Sequence, residues 1–351
     1  MKKTFFLIGL LLGFVVSGMV FTSCGDDEVG PGDTQGKNAE QNTTDVAVTG
    51  SVNEVSAMWA QISGVVNLDL IASSYTNVSI GVELSETEDF KNKNRTKATD
   101  VVGRKFNVHI DLLMPESKYY YRTYVEVSSL SYVYLGETYS FTTKKHSSVN
   151  GHYYVDLDLP SGTLWATCNV GATSPEGYGS YFAWGETVPK DTYNWSTYTL
   201  CNGTSTTLTK YCNNSSSGYN GFTDTLTELE PEDDAAYVNW GSGWRMPSLA
   251  QFEELINSSY TTTTWTTLNG VYGRKITSIS NGNSIFLPAA GYRYGSSLNY
   301  GGSLGYYWSR TLGTSSTSNA YDLYFVSSNV NTYYINRYYG ESVRPVRLLE
   351  Q

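Results

Sequence analysis

The chain has 351 residues and a formal net charge of −10 at neutral pH. Such an acidic chain lacks the basic footprint that phosphate binding requires, so nucleic acid is excluded as the expected partner. Tyrosine occurs 30 times and glycine 33 times, while charged residues make up only 16% of the chain. This composition favours β-rich domains over long amphipathic helices.

The N-terminus has the pattern of a targeting signal. Lys2 and Lys3 precede an almost uninterrupted apolar run, and small residues then lead into Cys24. That order predicts a secretory signal peptide over residues 1–23. Cys24 resembles the acylated cysteine of bacterial lipoproteins, which implies lipidation at Cys24 and contact with a membrane through the lipid alone. The alternative is an uncleaved transmembrane anchor, for which the run is only marginally long enough.

Residues 24–44 are expected to form a flexible linker. They contain no aromatic residue and few aliphatic ones, so they cannot bury enough apolar surface to fold. The segment Gly25-Asp26-Asp27-Glu28 resembles the export signal of Bacteroidetes-type lipoproteins. The resemblance implies an outer-membrane protein, lipid-anchored and facing the cell exterior.

Residues 45–144 are predicted to form a β-sandwich. Phe106, Val108 and Ile110 alternate with polar residues, as in a half-buried strand. Tyr119 stands two residues after Ser117, at the start of the next predicted strand. This arrangement resembles the tyrosine corner of fibronectin type III domains. Further strands are expected at Met58 to Ile62 and, as the last strand, at Tyr134 to Thr143.

Residues 148–351 contain six characteristic blocks in order, which are Leu159–Ala172, Tyr178–Glu186, Trp240–Ser248, Pro288–Arg293, Gly305–Ser309 and Gly340–Val346. Together they resemble the Fibrobacter succinogenes major paralogous domain family, which is related to formylglycine-generating enzymes. The resemblance implies a C-type-lectin-like α+β domain after the sandwich, in a chain that is otherwise mostly β. Ser248 and Gln251 form a capping box that predicts a helix start. The tryptophans are expected in the core, at Trp165, Trp184, Trp240, Trp244 and Trp308.

The enzyme interpretation is disfavoured. Formylglycine-generating relatives use a late pair of cysteines, and this chain has no cysteine after Cys212. The only histidines are His109, His146 and His152, so a histidine-based catalytic or zinc site is not expected in the lectin-like domain. Acid–base chemistry by a carboxylate pair at Asp233 and Asp234 remains an alternative. We therefore expect no enzymatic activity.

One acidic cluster could hold calcium, which prefers carboxylate oxygens. Its candidate ligands are Glu232, Asp233 and Asp234, and a structural acidic loop is the alternative. No other cofactor is expected. Cys201 and Cys212 flank a polar loop and could form a disulfide, while Cys168 is expected to be a buried thiol.

The segment from Gly291 to Tyr339 contains 11 Tyr, 9 Ser and 5 Asn, and no Lys. This composition is typical of antibody-like contact surfaces. It predicts a ligand-binding face for a glycan or a protein on a host, a phage or a neighbouring cell. The candidate contact residues are Tyr292, Tyr294, Asn299, Tyr300, Arg310, Tyr321, Tyr324, Asn331, Tyr333, Tyr334, Asn336, Arg337, Tyr338 and Tyr339. A β-sheet packed by alternate tyrosines is the alternative.

From Ala320 to Gly340 there is no Lys, Glu, Gln, Met or Trp. These residues cannot be reached by randomising the adenines of AAC or AAT codons. The segment therefore resembles the variable region of proteins diversified by retroelements. The predicted function is a surface adhesin or receptor, and a structural subunit of a surface or pilus assembly is the alternative.

Overall fold

The computed structural model describes residues 45–71, 77–313 and 315–348. The predicted signal peptide, Cys24 and most of the linker lie outside the described residues. The described residues are mostly β-strand with short helices. The strands are β1 Ala47–Val55, β2 Ala60–Val66, β3 Val78–Ser85, β4 Lys93–Lys97, β5 Val101–Val102, β6 Lys105–Ile110, β7 Lys118–Val127, β8 Tyr132–Leu135, β9 Tyr139–Thr142, β10 Ser148–Val149, β11 His152–Asp156, β12 Thr163–Ala166, β13 Thr261–Leu268, β14 Val271–Ser278, β15 Ser284–Pro288, β16 Tyr292–Tyr294, β17 Ser297–Asn299, β18 Gly305–Leu312, β19 Asn319–Phe325, β20 Val330–Asn336 and β21 Val346–Leu348. The α-helices are α1 Ala235–Trp240 and α2 Leu249–Leu255.

Strands β1 to β9 form two antiparallel sheets around one apolar core. One sheet has the order β1-β2-β6-β5, and the other has the order β4-β3-β7-β8 with β9 also paired to β7. This strand order is the one shared by immunoglobulin-like and fibronectin type III sandwiches. Alternate side chains of β2 and β6, including Ile62 and Val108, are buried between the sheets. The predicted fibronectin type III-like β-sandwich is confirmed.

The tyrosine corner is present. The main-chain amide of Met114 donates to the Tyr119 hydroxyl at 2.9 Å. This hydrogen bond ties the segment before β7 to the start of that strand. Tyr119, Tyr121, Thr123 and Val125 are all buried, as their period of two predicts. Burial raises the pKa of Tyr119 to about 12.

The predicted last strand of the sandwich is divided in two. Strand β8 pairs with the second half of β7 and β9 pairs with the first half. Between them the amide of Thr123 donates to Thr49 Oγ1 of β1 at 3.0 Å, and Gly136 packs so closely that a Cβ there would lie 2.4 Å from that atom. Thr49 thus interrupts the hydrogen-bond ladder along β7. The prediction of a single strand from Tyr134 to Thr143 was therefore wrong.

In residues 148–348, four sheets surround the tryptophan-rich core. Their strand orders are β10-β11-β12-β21, β13-β14-β15, β16-β17 and β18-β19-β20. All five block tryptophans are buried, as predicted. The Trp184 indole donates to the carbonyl of Ser309, and the Trp308 indole donates to the carbonyl of Phe182, both at 2.8 Å. These reciprocal bonds fix β18 against the segment around Trp184.

Helix α2 begins at the predicted capping box. Ser248 Oγ accepts from the amide of Gln251, and the Gln251 side chain accepts from the amide of Ser248. The helix buries Phe252 and Leu255. Among the described residues, no helix has the length and apolar character needed to cross a membrane.

Cys201 and Cys212 do not form the predicted disulfide, and both are free thiols. Cys201 Sγ donates to the carbonyl of Trp195 at 3.3 Å, and Cys212 Sγ donates to the carbonyl of Asn214 at 3.2 Å. Each thiol is thus held by its own local turn. Cys168 is a buried thiol as predicted, and burial raises its pKa.

Candidate functional site

Strands β18, β19 and β20 form a sheet whose two faces differ. In register across the three strands are Tyr306, Tyr324 and Asn331, and two residues further along are Trp308, Asp322 and Tyr333. Directly paired residues point to the same side of an antiparallel sheet. These six side chains therefore share one face. Alternate residues Tyr307, Leu323 and Phe325 share the other face, which packs into the core.

A hairpin next to this sheet supplies further tyrosines. Strands β16 and β17 are joined by Gly295 and Ser296, and Gly295 adopts a φ of 56°, which suits a two-residue hairpin turn. Tyr292 of the hairpin packs edge-on against Tyr306 with ring centroids 5.0 Å apart. Tyr306 in turn lies 4.9 Å from Tyr324. The hairpin and the sheet thus share one aromatic surface.

Ring contacts continue along this surface. Tyr339 contacts Tyr292 and Tyr294 at 5.2 and 5.5 Å, and Tyr300 contacts Tyr292 at 6.0 Å. A separate group of ring contacts lies at β19 and β20, where Tyr333 stacks on Tyr334 at 5.3 Å and Tyr334 contacts Tyr321 at 6.0 Å. We call these rings the tyrosine cluster, which comprises Tyr292, Tyr294, Tyr300, Tyr306, Tyr321, Tyr324, Tyr333, Tyr334, Tyr338 and Tyr339.

Four members of the tyrosine cluster stand well out into solvent. The exposed fractions are 52% for Tyr294, 60% for Tyr300, 58% for Tyr333 and 41% for Tyr334. Tyr292, Tyr321, Tyr324 and Tyr339 are half-buried. The predicted aromatic segment is therefore largely presented at the surface.

Structural tyrosines elsewhere in this region behave differently. Tyr181, Tyr198 and Tyr307 are buried, and each hydroxyl donates to a main-chain carbonyl at 2.6 to 2.7 Å. Buried tyrosines normally find such partners. The exposed members of the tyrosine cluster instead turn ring and hydroxyl towards water, where a ligand can contact them.

The structure corrects the prediction of ligand contact for three residues, which are Arg337, Tyr338 and Arg310. Arg337 is fully buried, lies over the rings of Trp184 and Tyr198, and donates to the carbonyl of Tyr211 at 3.2 Å. Tyr338 is only 8% exposed because it packs against Trp195.

Arg310 is also engaged within the protein. It forms an ion pair with Glu228 at 2.8 Å and donates to the carbonyl of Met246 and to Gln251 Oε1. Its guanidinium joins β18 to the start of α2. Arg310 and Arg337 are thus structural residues and not donors for a ligand.

The three predicted asparagines lie near the tyrosines with local roles. Asn299 ends β17, and its amide donates weakly to the carbonyl of Ser297 at 3.4 Å. Asn331 is exposed, and its side-chain oxygen accepts from the amide of Thr332. Asn336 is half-buried at the end of β20. Asn331 is the most accessible of the three.

The acidic cluster proposed for calcium serves other purposes. Asp234 is fully buried as the N-cap of α1, where it accepts from the amides of Ala236 and Tyr237 and pairs with Arg245 at 2.8 Å. Asp233 accepts from Lys210 Nζ and the Tyr211 hydroxyl, both at 2.6 Å.

The remaining candidate, Glu232, is exposed and lies 3.8 Å from Lys210. No group of three or more histidine, cysteine or carboxylate side chains within the described ranges could hold a metal ion. Ion pairs and a helix cap therefore occupy carboxylates of this cluster, which is the arrangement expected of a structural acidic loop.

Sequence reasoning missed Tyr306, Asp322 and Glu341. Tyr306 alternates with Tyr307, which is buried on the other face of β18, and this period of two could have placed Tyr306 on the face of Tyr324. Asp322 and Glu341 are fully buried, and none of their four carboxylate oxygens has a hydrogen-bond partner from another residue. Burial raises the pKa of both groups, and Asp322 raises that of Glu341 further. No local sequence signal indicates that they are buried together.

Comparisons with solved structures find small β-domains. The sensor domain of the anti-sigma factor RsgI4 from Pseudobacteroides cellulosolvens is 15% identical, with 29% of this chain and 99% of that chain covered and a TM-score of 0.24. A fibronectin type III domain of the human KIAA0970 protein is 19% identical, with 31% and 81% covered and a TM-score of 0.24.

A domain of human fibronectin type III domain containing protein 3 is 12% identical, with 34% and 94% covered and a TM-score of 0.22. No protein-family model matches the chain, and no curated protein matches it. The sandwich assignment rests on the strand order and the Tyr119 corner, and not on these scores.

Proposed function

We propose that this chain is a cell-surface binding protein whose tyrosine cluster contacts a glycan or a protein ligand. The observation that carries the proposal is the exposure of Tyr294, Tyr300, Tyr333 and Tyr334, which belong to two groups of contacting rings in the same region. Tyrosine offers a large contact area at low entropic cost. Its rings also stack on sugars, so both ligand classes suit this surface.

The scaffold supports presentation of such a surface. The tyrosine cluster lies on β18 to β20 and on the hairpin β16–β17, while the tryptophans beneath it are buried. Binding residues held by a rigid core lose little entropy when a ligand binds. In this proposal the region after residue 148 is a C-type-lectin-like domain, non-catalytic, and possessing a face diversified by a retroelement.

The remaining parts of the proposal concern location. The sequence ahead of residue 45 has the features of a lipoprotein signal with acylation at Cys24, followed by a linker. The β-sandwich would act as a spacer that holds the binding domain away from the outer membrane. The ligand would be carried by a host cell, a phage or a neighbouring bacterium.

A matched pair of variants tests the binding face. The first replaces Tyr294, Tyr300, Tyr333 and Tyr334 by Ala. The control replaces four tyrosines of similar exposure elsewhere, which are Tyr132, Tyr219, Tyr260 and Tyr272. Purified chains are applied to arrays of glycans and of surface proteins. We expect the array signals of the first variant to be weaker than those of the wild type and the control by about tenfold or more. Equal signals from the folded first variant would refute the proposal.

A further inference from the structure

A buried carboxyl pair lies beneath the tyrosine cluster with no counter-charge. Asp322 and Glu341 are fully buried, and their carboxylate oxygens have no partner beyond a contact of Asp322 with its own backbone. Such groups are costly, because burial without hydrogen bonds removes their hydration. An unsatisfied pair in a folded protein therefore requires an explanation.

Other buried carboxylates of this chain are paired. Glu83 is fully buried in the sandwich and accepts from Arg95 and Arg122 at 2.8 Å. Burial alone would raise the pKa of Glu83, but the two arginine hydrogen bonds outweigh it and lower the pKa. Asp234 has Arg245 in the same role. Asp322 and Glu341 thus differ from Glu83 and Asp234, which each have an arginine as a partner.

The register places Asp322 on the side of the sheet that faces a hollow. Asp322 pairs with Tyr333 and lies two residues before Tyr324, so its side chain projects to the same face as theirs. On that face Tyr306, Tyr324, Tyr333 and Ile335 line a hollow of about 280 Å³. Burial raises the pKa of Tyr306, and both carboxyl groups add to that rise together with neighbouring tyrosines. Tyr306 is therefore close enough to Asp322 and Glu341 for their charges to act on its hydroxyl.

The basic residues close in sequence contact groups other than the carboxyl pair. Arg344, three residues after Glu341, donates to Asn169 Oδ1 and to main-chain carbonyls. Between residues 291 and 339 the only basic residues are Arg293, Arg310 and Arg337. Arg310 pairs with Glu228, Arg337 lies over Trp184, and Arg293 lies over the ring of Tyr181 at 5.2 Å. Asp322 and Glu341 do not line the hollow but are buried close to its tyrosines, and no arginine of this segment neutralises them.

We propose that the hollow receives the guanidinium of an arginine side chain on a protein ligand, attracted by Asp322 and Glu341. This inference rests on the proposed function and names the chemistry of its ligand. A guanidinium stacks on aromatic faces, which suits the tyrosine rings of the hollow, and the carboxyl pair buried nearby would attract its charge. Its weaker hydration makes it easier to bury than an ammonium group.

Entry of the cation should be linked to loss of a proton. In the free protein, the raised pKa of the pair keeps it at least partly protonated near neutral pH. A cation favours the ionised form, so a proton passes to solvent as the guanidinium binds. The titratable groups near the pair on the packed elements are four tyrosines. They are Tyr292 of β16, Tyr306 of β18, Tyr324 of β19 and Tyr333 of β20.

The test uses two blocked peptides of equal shape, acetyl-Gly-Arg-Gly-amide and its citrulline twin, which lacks the charge. The variant is Asp322→Asn with Glu341→Gln. The control, Asp191→Asn with Glu253→Gln, removes the same two charges from exposed positions. Calorimetric titrations in two buffers of different ionisation enthalpy give the affinity and the proton release, and circular dichroism checks the fold.

We expect the arginine peptide to bind the wild type and the control at least about tenfold more tightly than the citrulline twin. The carboxyl variant should lose this preference and the proton release. Equal binding of the two peptides, or unchanged arginine binding by the carboxyl variant, would overturn the inference. The inference would also be overturned if the wild type bound calcium but no peptide, and the carboxyl variant bound no calcium.

The two proposals fail separately. If the four-tyrosine variant loses array signals but the wild type shows no preference for arginine, only the guanidinium inference is wrong. If the four-tyrosine variant keeps all array signals, the tyrosine cluster is not the contact surface, whatever the peptides show.

Discussion

Arg344 Nε donates to Asn169 Oδ1 at 2.8 Å and so joins the last sequence block of the chain to the first block of the same region. The same guanidinium donates to the carbonyls of Ala166, Thr167 and Phe286 at 2.8 to 3.1 Å. Arg344 is fully buried, and burial lowers its pKa. One side chain thus satisfies acceptors on two separate segments, residues 166–169 and Phe286.

Replacing Arg344 by Ala should destabilise this region by about 3 to 5 kcal/mol, because four buried acceptors lose their donor. Urea unfolding followed by tryptophan fluorescence measures the loss, since seven of the eight tryptophans lie after residue 144. The control is Arg104→Ala, which removes a surface ion pair with Asp69 and should cost less than about 1 kcal/mol. Similar losses from both variants would contradict the assigned role.

Replacing Tyr119 by Phe should loosen the sandwich by about 1 to 2 kcal/mol, because the amide of Met114 loses its acceptor. Hydrogen exchange measured by mass spectrometry on peptides covering β7 isolates the effect in the sandwich. We expect faster exchange there and no change in β18 to β20. Tyr120→Phe is the matched control, since Tyr120 is half-buried on the opposite side of the strand. Equal exchange in the two variants would show that the corner hydroxyl contributes nothing.

The pair Asp322 and Glu341 should make stability fall with rising pH. Burial raises the pKa of Asp322 from 3.8 to about 8, and burial with Asp322 raises that of Glu341. The folded state then holds protons that the unfolded chain releases, so the contribution is full below about pH 4 and is lost as pH rises towards about 8.

The variant Asp322→Asn with Glu341→Gln removes this dependence. Relative to the wild type it should gain about 1 to 3 kcal/mol between pH 5 and pH 8. Urea unfolding at several pH values, with Asp191→Asn and Glu253→Gln as the control, measures the difference. A constant difference across this range would show that the pair titrates normally.

The three described cysteines should react as thiols of different accessibility. Cys168 and Cys212 are buried and should resist iodoacetamide in the folded chain, whereas the half-buried Cys201 should react slowly because burial raises its pKa. Peptide mapping without reductant, before and after unfolding, measures the labelling. Recovery of a peptide that links Cys201 to Cys212 would contradict the free thiols.

Features that depend on local pattern could be predicted from the amino-acid sequence. The period of two around Val108 and Tyr121 placed the sandwich strands, and the spacing of Ser117 and Tyr119 located the corner. The Ser248 and Gln251 capping box marked the start of α2. The tryptophan-rich blocks indicated a core. These predictions succeeded because strand alternation and helix capping act over a few residues.

Which polar residues of the C-terminal segment are exposed depends on contacts between parts of the chain that are distant in sequence. Arg337, Arg310 and Asp234 look available in the sequence, yet each is engaged by groups distant along the chain. Asp322 and Glu341 are separated by 18 intervening residues, and they are buried together only because β18, β19 and the final block meet beneath the tyrosine cluster. Burial and charge pairing are sums over contacts from many segments, so no local pattern in the sequence contains them.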